Sequence, residues 1–279
     1  MLRVLVTGGA GYLGSRLVPE LLKEYQVTVL DNFRFQQNSL LGQCHNPNLS
    51  IIRGDAREKE TLASAMNNAD IIIPLACLTG APICDADPTG ARSTNLEAVQ
   101  TLLTLRSNDQ VILFPTTNSG YGIGQDGIFC TEETPLNPIS LYGKLKVQAE
   151  NEILSAGNAI TFRLATVFGA SPRMRTDLLV NDFVYRAMND KAVVLFESHF
   201  KRNYLSIADV VRVFQHGIKN FDAMKDQAYN VGLEDANLSK KELCTYIQRF
   251  VEGFQFVDSD IGTDPDQRNY IVSNAKIAK

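Results

Sequence analysis

The sequence predicts an α/β fold, a doubly wound parallel sheet followed by a smaller C-terminal lobe. Three observations point to it. Short apolar runs rich in Val and Ile alternate with segments of helical period over residues 1–168. The runs are apolar on both faces, as strands covered by helices on each side must be. The first run ends in a glycine loop that opens directly into a helical segment.

The elements follow in order. Residues 3–6 form a short strand, and 14–23 a helix with Leu17, Val18, Leu21 and Leu22 on one side. Strands follow at 26–30, 50–53, 71–75, 110–115 and 159–164, with helices at 58–67, 90–106 and 142–156 between them. After residue 168 the pattern changes. A polar, basic loop at 171–176 leads to a helix at 177–189, strands at 192–196 and 202–207, and a helix at 208–219. A buried strand at 226–231, a helix at 239–252 and a short strand near 255–257 complete the reading. The division is therefore 1–168 for the first domain and 169–279 for the second lobe, with 203–232 returning to the first.

The 279 residues are ordinary for a soluble globular chain: 44% hydrophobic and 21% charged, with a net charge of −4. An acidic total argues against non-specific binding to nucleic acid or anionic membranes. The five cysteines, Cys44, Cys77, Cys84, Cys130 and Cys244, are odd in number and include no CxxC pair. Neither a disulfide framework nor a metal site is indicated, and free thiols fit a reducing cytoplasm. The stretch 71–84 is the longest uncharged apolar one, but Pro74, Thr79, Gly80 and Pro82 interrupt it. It falls short of the roughly 20 residues that a membrane span needs.

The glycines at 8, 11 and 14 have the spacing G-x-x-G-x-x-G. Gly8 permits the turn after the strand, Gly11 lets the backbone approach a pyrophosphate, and Gly14 lets the helix pack closely. Tyr12 and Leu13 lie in this loop, where a helix N-terminus offers free N–H groups to an anion. The next strand ends in Asp31-Asn32, with Asp31 placed 23 residues after Gly8. That suits a carboxylate accepting from adenosine ribose hydroxyls and repelling a 2′-phosphate, so NAD is favoured over NADP. Arg34 is the reservation, since an arginine there is able to take a phosphate. Asp55 and Ala56 follow the third strand, where Asp55 either reaches the adenine amino group or caps helix 58–67. Leu75 and Ala76 end the fourth strand, where small residues let a cofactor pass. Cys77 beside them has no nearby His in sequence to make it a nucleophile.

Tyr142 and Lys146 are four apart, one turn along the same helix face. A phenol with a pKa of about 10 is a poor base at neutral pH. A neighbouring ammonium favours the phenolate. Lowering the pKa by about 3 units takes roughly 4 kcal/mol, which Lys146 and a nicotinamide cation can supply together in a dry site. Upstream, the strand ends in Pro115-Thr116-Thr117-Asn118-Ser119-Gly120-Tyr121-Gly122. This puts hydroxyls at the C-terminal edge of a parallel strand, where open α/β sheets bind ligands. Thr117 is the candidate to hold a substrate oxygen and relay a proton to Tyr142.

With these features stand Gly54, Asn95, Asn181, the run 163–169 and the segment 202–209. Together they resemble the extended short-chain dehydrogenase/reductase family, in its nucleotide-sugar epimerase/dehydratase branch, over nearly the whole chain. The resemblance implies a Rossmann domain with NAD and a C-terminal substrate-binding lobe for a nucleotide-diphosphate sugar. It also implies a homodimer paired through helices 90–106 and 142–156 in a four-helix bundle. It carries the Ser/Thr role to Thr117, the base role to Tyr142 and the ribose-binding, pKa-lowering role to Lys146. Asn95 is then either the helix residue supporting the site behind Lys146 or a satisfied helix asparagine. Arg202 matches an arginine that contacts the diphosphate, although Asn203 replaces the family's aspartate, and Asn181 matches an asparagine on the same diphosphate. Arg173 and Arg175 are phosphate candidates or solvated loop residues. Arg268, in Asp264-Pro265-Asp266-Gln267-Arg268, is a candidate to close over the nucleotide from the far side. His199 reads as a surface residue.

In this branch Tyr142 would take the C4 hydroxyl proton while the C4 hydride goes to NAD. Similar dehydratases carry Asp-Glu immediately after the threonine, where this chain has Asn118-Ser119. Dehydration across C5 and C6 is therefore disfavoured. The expectation is C4 epimerisation through a 4-keto sugar, with Asn118 and Ser119 beside the sugar. A C4 dehydrogenase or 4-keto reductase is the alternative. A non-catalytic NAD(P) sensor is disfavoured because Tyr142 and Lys146 are both present. Similar enzymes continue beyond 274–279, so a final helix of the lobe is expected to be lacking.

Overall fold

The structure is a computed structural model and describes residues 1–125, 127–259 and 268–279. Its elements are β1 (Arg3–Thr7), α1 (Gly14–Leu21), β2 (Gln26–Asp31), β3 (Leu49–Arg53), α2 (Lys59–Met66), β4 (Ile71–Pro74), α3 (Ala81–Ala86), α4 (Pro88–Arg92) and α5 (Ala98–Leu105). Then come β5 (Val111–Thr117), β6 (Phe129–Cys130), α6 (Leu141–Ala156), β7 (Ala159–Leu164), β8 (Thr166–Phe168), α7 (Leu179–Asn189), β9 (Ala192–Phe196) and β10 (Lys201–Ser206). The chain continues through α8 (Ile207–Lys219), α9 (Phe221–Met224), β11 (Gln227–Val231), β12 (Asn237–Ser239), α10 (Lys240–Gln248), β13 (Gln255–Ser259) and β14 (Ile271–Val272).

Seven strands form one parallel sheet in the order β11-β7-β5-β4-β1-β2-β3. This is the doubly wound Rossmann architecture. One face buries Leu17, Val18 and Leu21 of α1 with Val210 and Phe214 of α8 against Val6, Val29 and Phe162. The other buries Leu62 of α2, Leu102 of α5 and Leu145 and Ile153 of α6 against Leu5, Ile72 and Phe114. Strand β1 pairs with β2 on one side and β4 on the other. The chain order reverses there, which opens a crevice at the strand C-termini. The glycine loop and Leu75-Ala76 flank that crevice.

The smaller lobe packs α7 and α10 through Phe183, Ala187, Leu243 and Ile247, over Val193, Leu195 and Tyr204. Its strands form a three-stranded sheet β12-β10-β8 and a parallel pair β13-β9. Strand β14 returns to pair with β6.

The structure departs from the sequence reading in three places. Helix 90–106 is divided into α4, a π-helical turn at Ser93–Glu97, and α5. The extra residue in such a turn re-aims the side chains around it. Here Asn95 faces the loop after β4, and its side chain bonds Leu78. Asp55 does not cap the second helix. Its N-cap is Glu58, and the Asp55 carboxylate instead accepts from the Arg57 backbone N–H at 2.9 Å. The short strands β6, β8, β12 and β14 and the helices α3 and α9 have no counterpart in the sequence pattern; each is six residues or fewer.

Candidate active site

The glycine loop is shaped by contacts that only glycine permits. Gly8 has φ +67°, and a Cβ there would lie 2.6 Å from the Ala76 nitrogen. A Cβ on Gly14 would lie 2.4 Å from the Gly9 carbonyl oxygen. A Cβ on Gly11 would meet only the Gly8 carbonyl oxygen, at 3.1 Å, so its outer face is open. The result is a cradle at the start of α1 with room for an anion beside Gly11, Tyr12 and Leu13.

Asp31 closes one side of this cradle. Its carboxylate accepts from the Ala10 N–H at 2.9 Å and the Phe33 N–H at 2.8 Å, and Gln37 donates at 3.3 Å. These bonds hold a buried carboxylate at the C-terminal end of β2. Asn32 donates to Asp55 at 3.3 Å and accepts from the Arg34 N–H. The Arg57 guanidinium donates to Asp55 at 2.7 and 3.0 Å and holds its carboxyl down at about 2. Asp55 thus stays anionic, with Arg57 covering it, and Ala56 is buried beside it.

Tyr142 and Lys146 lie in the first two turns of α6, which Ser140 caps by accepting from the Gly143 N–H. Burial around the Tyr142 hydroxyl pushes its pKa up, and the thiols of Cys77 and Cys84 push the same way. The Arg268 and Arg175 guanidiniums pull it down. Lys146 is almost completely buried, and burial lowers its pKa, while Cys77 and Glu150 raise it. Its ammonium lies 3.7 Å from the centre of the Phe114 ring. Among the described residues it donates no hydrogen bond. A buried ammonium with donors to spare, near Cys77 at the end of the Leu75-Ala76 segment, fits the ribose hydroxyls of a dinucleotide.

The turn after β5 packs on this helix, since a Cβ at Gly143 would lie 3.3 Å from the Ser119 carbonyl oxygen. The Thr117 hydroxyl donates to the Ser119 hydroxyl at 2.9 Å, and Arg268 also donates to the Ser119 hydroxyl. Asn118 is buried with neither amide atom bonded among the described residues. Arg202 is buried and donates to the Arg268 carbonyl. The structure therefore gathers Thr117, Ser119, Tyr142, Arg202 and Arg268 on one side of the crevice. Residues 264–267, quoted with Arg268 from the sequence, lie outside the described residues.

Other expected residues serve neighbouring roles. Asn95 accepts from the Leu78 N–H at 2.8 Å and donates to the Leu78 carbonyl at 2.9 Å, pinning the loop after β4. Asn181 accepts from the Gly169 N–H and donates to the Arg175 carbonyl and the Tyr12 hydroxyl, so it braces the loop 169–175. Arg175 pairs with Asp177. Arg173 lies against the glycine loop, with its backbone N–H 3.3 Å from the Ser15 hydroxyl. Two contributors escaped the sequence reading. Cys77 bears on both Tyr142 and Lys146. Glu150, one turn beyond Lys146, is held by Arg163 at 2.7 Å. The Tyr142-Lys146-Glu150 spacing of four was the signal available for the second.

A family model described as the NAD dependent epimerase/dehydratase family matches residues 4–232. The chain belongs to the NAD-dependent epimerase/dehydratase family. It is an enzyme of that family, whose cofactor is NAD. The low-salt glycan biosynthesis protein Agl12 of Haloferax volcanii is 29% identical over 94% of this chain and 87% of its own length. The UDP-glucose 4-epimerase of Lactobacillus helveticus is 25% identical over 83% of this chain and 76% of its own. The structure of dTDP-glucose 4,6-dehydratase from Bacillus anthracis in complex with NAD superposes with a TM-score of 0.82. That match has 22% identity over 99% of this chain and 89% of that one. No helix among the described residues is long and apolar enough to cross a membrane.

Proposed function

We propose that this enzyme is a nucleotide-sugar C4 epimerase acting through a 4-keto intermediate. The observation that carries the reading is the chemistry around Tyr142. Asn118 and Ser119 directly follow Thr117, in the turn that packs on the helix carrying Tyr142. Elimination of water across C5 and C6 needs its own acid and base, and no carboxylate stands at either position. Epimerisation needs only one proton shuttle, used in both directions.

Each residue then has a physical task. Tyr142 accepts the C4 hydroxyl proton and later returns it. Thr117, joined to Ser119, orients the C4 oxygen. Lys146 donates to the nicotinamide ribose and favours the Tyr142 phenolate. Gly8, Gly11, Tyr12, Leu13 and Gly14 seat the pyrophosphate, and Asp31 and Asn32 the adenosine ribose. Asp55 and Ala56 border the adenine, and Leu75 and Ala76 line the path between the two halves. NAD, when bound, would supply the hydride acceptor and donor at C4. Arg202, Arg268 and Arg175 face the diphosphate sugar, with Asn181 bracing that wall. The dinucleotide is held by 1–168 with 203–232, and the sugar nucleotide by 169–279. The protein works as a cytoplasmic homodimer paired through the helices of 90–106 and 142–156.

The test is a panel of UDP-, dTDP-, GDP- and CDP-sugars with products resolved by NMR. Interconversion of two C4 epimers without net cofactor reduction is expected. It should fall at least about a hundredfold in Tyr142→Phe, the usual scale for a lost acid–base group. Stoichiometric reduced cofactor would favour the C4 dehydrogenase instead, and a 4-keto-6-deoxy product would overturn the reading.

A further inference from the structure

We infer that Arg173 binds the pyrophosphate of the dinucleotide and not the sugar nucleotide, an assignment that rests on NAD occupying the glycine cradle. Two loops wrap the start of α1 and meet at this residue. From one side, the Ser39 hydroxyl donates to the Ala10 carbonyl at 2.6 Å. From the other, Tyr12 donates to the Gly169 carbonyl at 2.7 Å, and the Ser171 hydroxyl donates to the Tyr12 carbonyl at 2.7 Å. Ser171 also lies 2.8 Å from the Ser15 hydroxyl, and the Arg173 N–H points at the same hydroxyl. The loops join where the Arg173 guanidinium lies 4.2 Å from the centre of the Phe35 ring.

The cation is therefore held over Phe35, in the segment that follows Asp31, while the backbone that carries it is tied to the first turn of α1. Among the described residues it pairs with no carboxylate; one nitrogen donates to the Met174 carbonyl at 2.7 Å. Arg175, two residues on, is instead paired with Asp177 and weighs on Tyr142. Arg173 and Arg175 of one loop thus have different contact partners, the Phe35 ring and the Asp177 carboxylate. The charge balance calls for this cation. A pyrophosphate carries about two negative charges and the helix end offers only roughly half a positive one, while the Asp31 carboxylate stands close by. A guanidinium fork suits phosphate oxygens, and stacking on Phe35 fixes its orientation beforehand.

The experiment measures dissociation constants by calorimetry for wild type, Arg173→Gln and Phe35→Ala, with NAD, ADP, UDP and dTDP as probes. Arg173→Gln should weaken NAD and ADP about tenfold or more, leave UDP and dTDP within about twofold, and flatten the salt dependence of NAD binding. Phe35→Ala keeps the cation and should weaken NAD by a smaller factor, which separates loss of charge from loss of the loop contact. Equal NAD affinity in wild type and Arg173→Gln, or a loss confined to UDP or dTDP, overturns the assignment alone. Wild type that binds no NAD overturns the cofactor reading and this assignment together.

Discussion

Removal of the buried cation behind the active site should be among the most damaging single changes in this protein. Arg163 donates to one oxygen of Glu150 at 2.7 and 2.9 Å, to the Tyr121 hydroxyl at 3.1 Å and to the Glu132 carbonyl at 3.2 Å. The side chains of Arg163 and Glu150 are 8% and 1% exposed, so solvent screens neither. The second Glu150 oxygen is buried without a hydrogen-bond partner among the described residues. Arg163→Met therefore strands a carboxylate in the core of the sheet–helix interface. Breaking such a pair costs about 3–5 kcal/mol. At roughly 2–4 °C per kcal/mol for a chain of this size, the melting temperature should fall by roughly 6–20 °C. The double variant Glu150→Leu/Arg163→Met removes both charges and should recover to within about 2 kcal/mol of wild type. Urea unfolding followed by near-ultraviolet circular dichroism, with thermal melts at one scan rate, measures both. A single variant within about 1 kcal/mol of wild type, or a double variant no more stable than the single, would refute the reasoning.

Three further outcomes are expected. Asp31→Ala should weaken NAD and narrow its advantage over NADP, because the ribose loses an acceptor and a 2′-phosphate loses a repelling charge; titration with both nucleotides measures this, and an unchanged preference sinks the ribose assignment. Arg268→Gln should move the rising limb of the pH–rate profile to higher pH. Arg268 lowers the Tyr142 pKa, and the phenolate forms only as pH rises through that pKa; a limb that stays put or moves down contradicts the placement. Gly8→Ala should cost about 1 kcal/mol or more from its left-handed φ alone, plus the clash with the Ala76 nitrogen at 2.6 Å; equilibrium unfolding and NAD titration read out the two effects.

Much of the fold was legible because buried parallel strands write themselves as local apolar runs. The strands at 159–164 and 192–196 were read to the residue, and the remaining strands of the large sheet to within two residues. The cradle was legible for a similar reason. Gly8 and Gly14 are required by contacts with residues of the adjacent strand end and of the loop itself, so their spacing carries the shape. Tyr142 and Lys146 are linked by one helical turn, which spacing reports directly.

What only the tertiary structure decided are the pairings between distant segments. Strand β8 begins two residues after β7 ends, yet belongs to another sheet because it pairs with β10 some forty positions later. Asn95 lies in a stretch whose period predicts one unbroken helix over 90–106, but a π turn interrupts it and the Leu78 backbone claims the side chain. Arg173 and Arg175 look alike in sequence, yet one lies over the Phe35 ring and the other pairs with Asp177. A sequence encodes period and burial locally, through propensity and hydrophobic spacing. Which partner a polar side chain meets depends on chain closure, over 17 residues for Asn95 and Leu78 and over more than a hundred for Arg173 and Phe35, and that is settled only by packing.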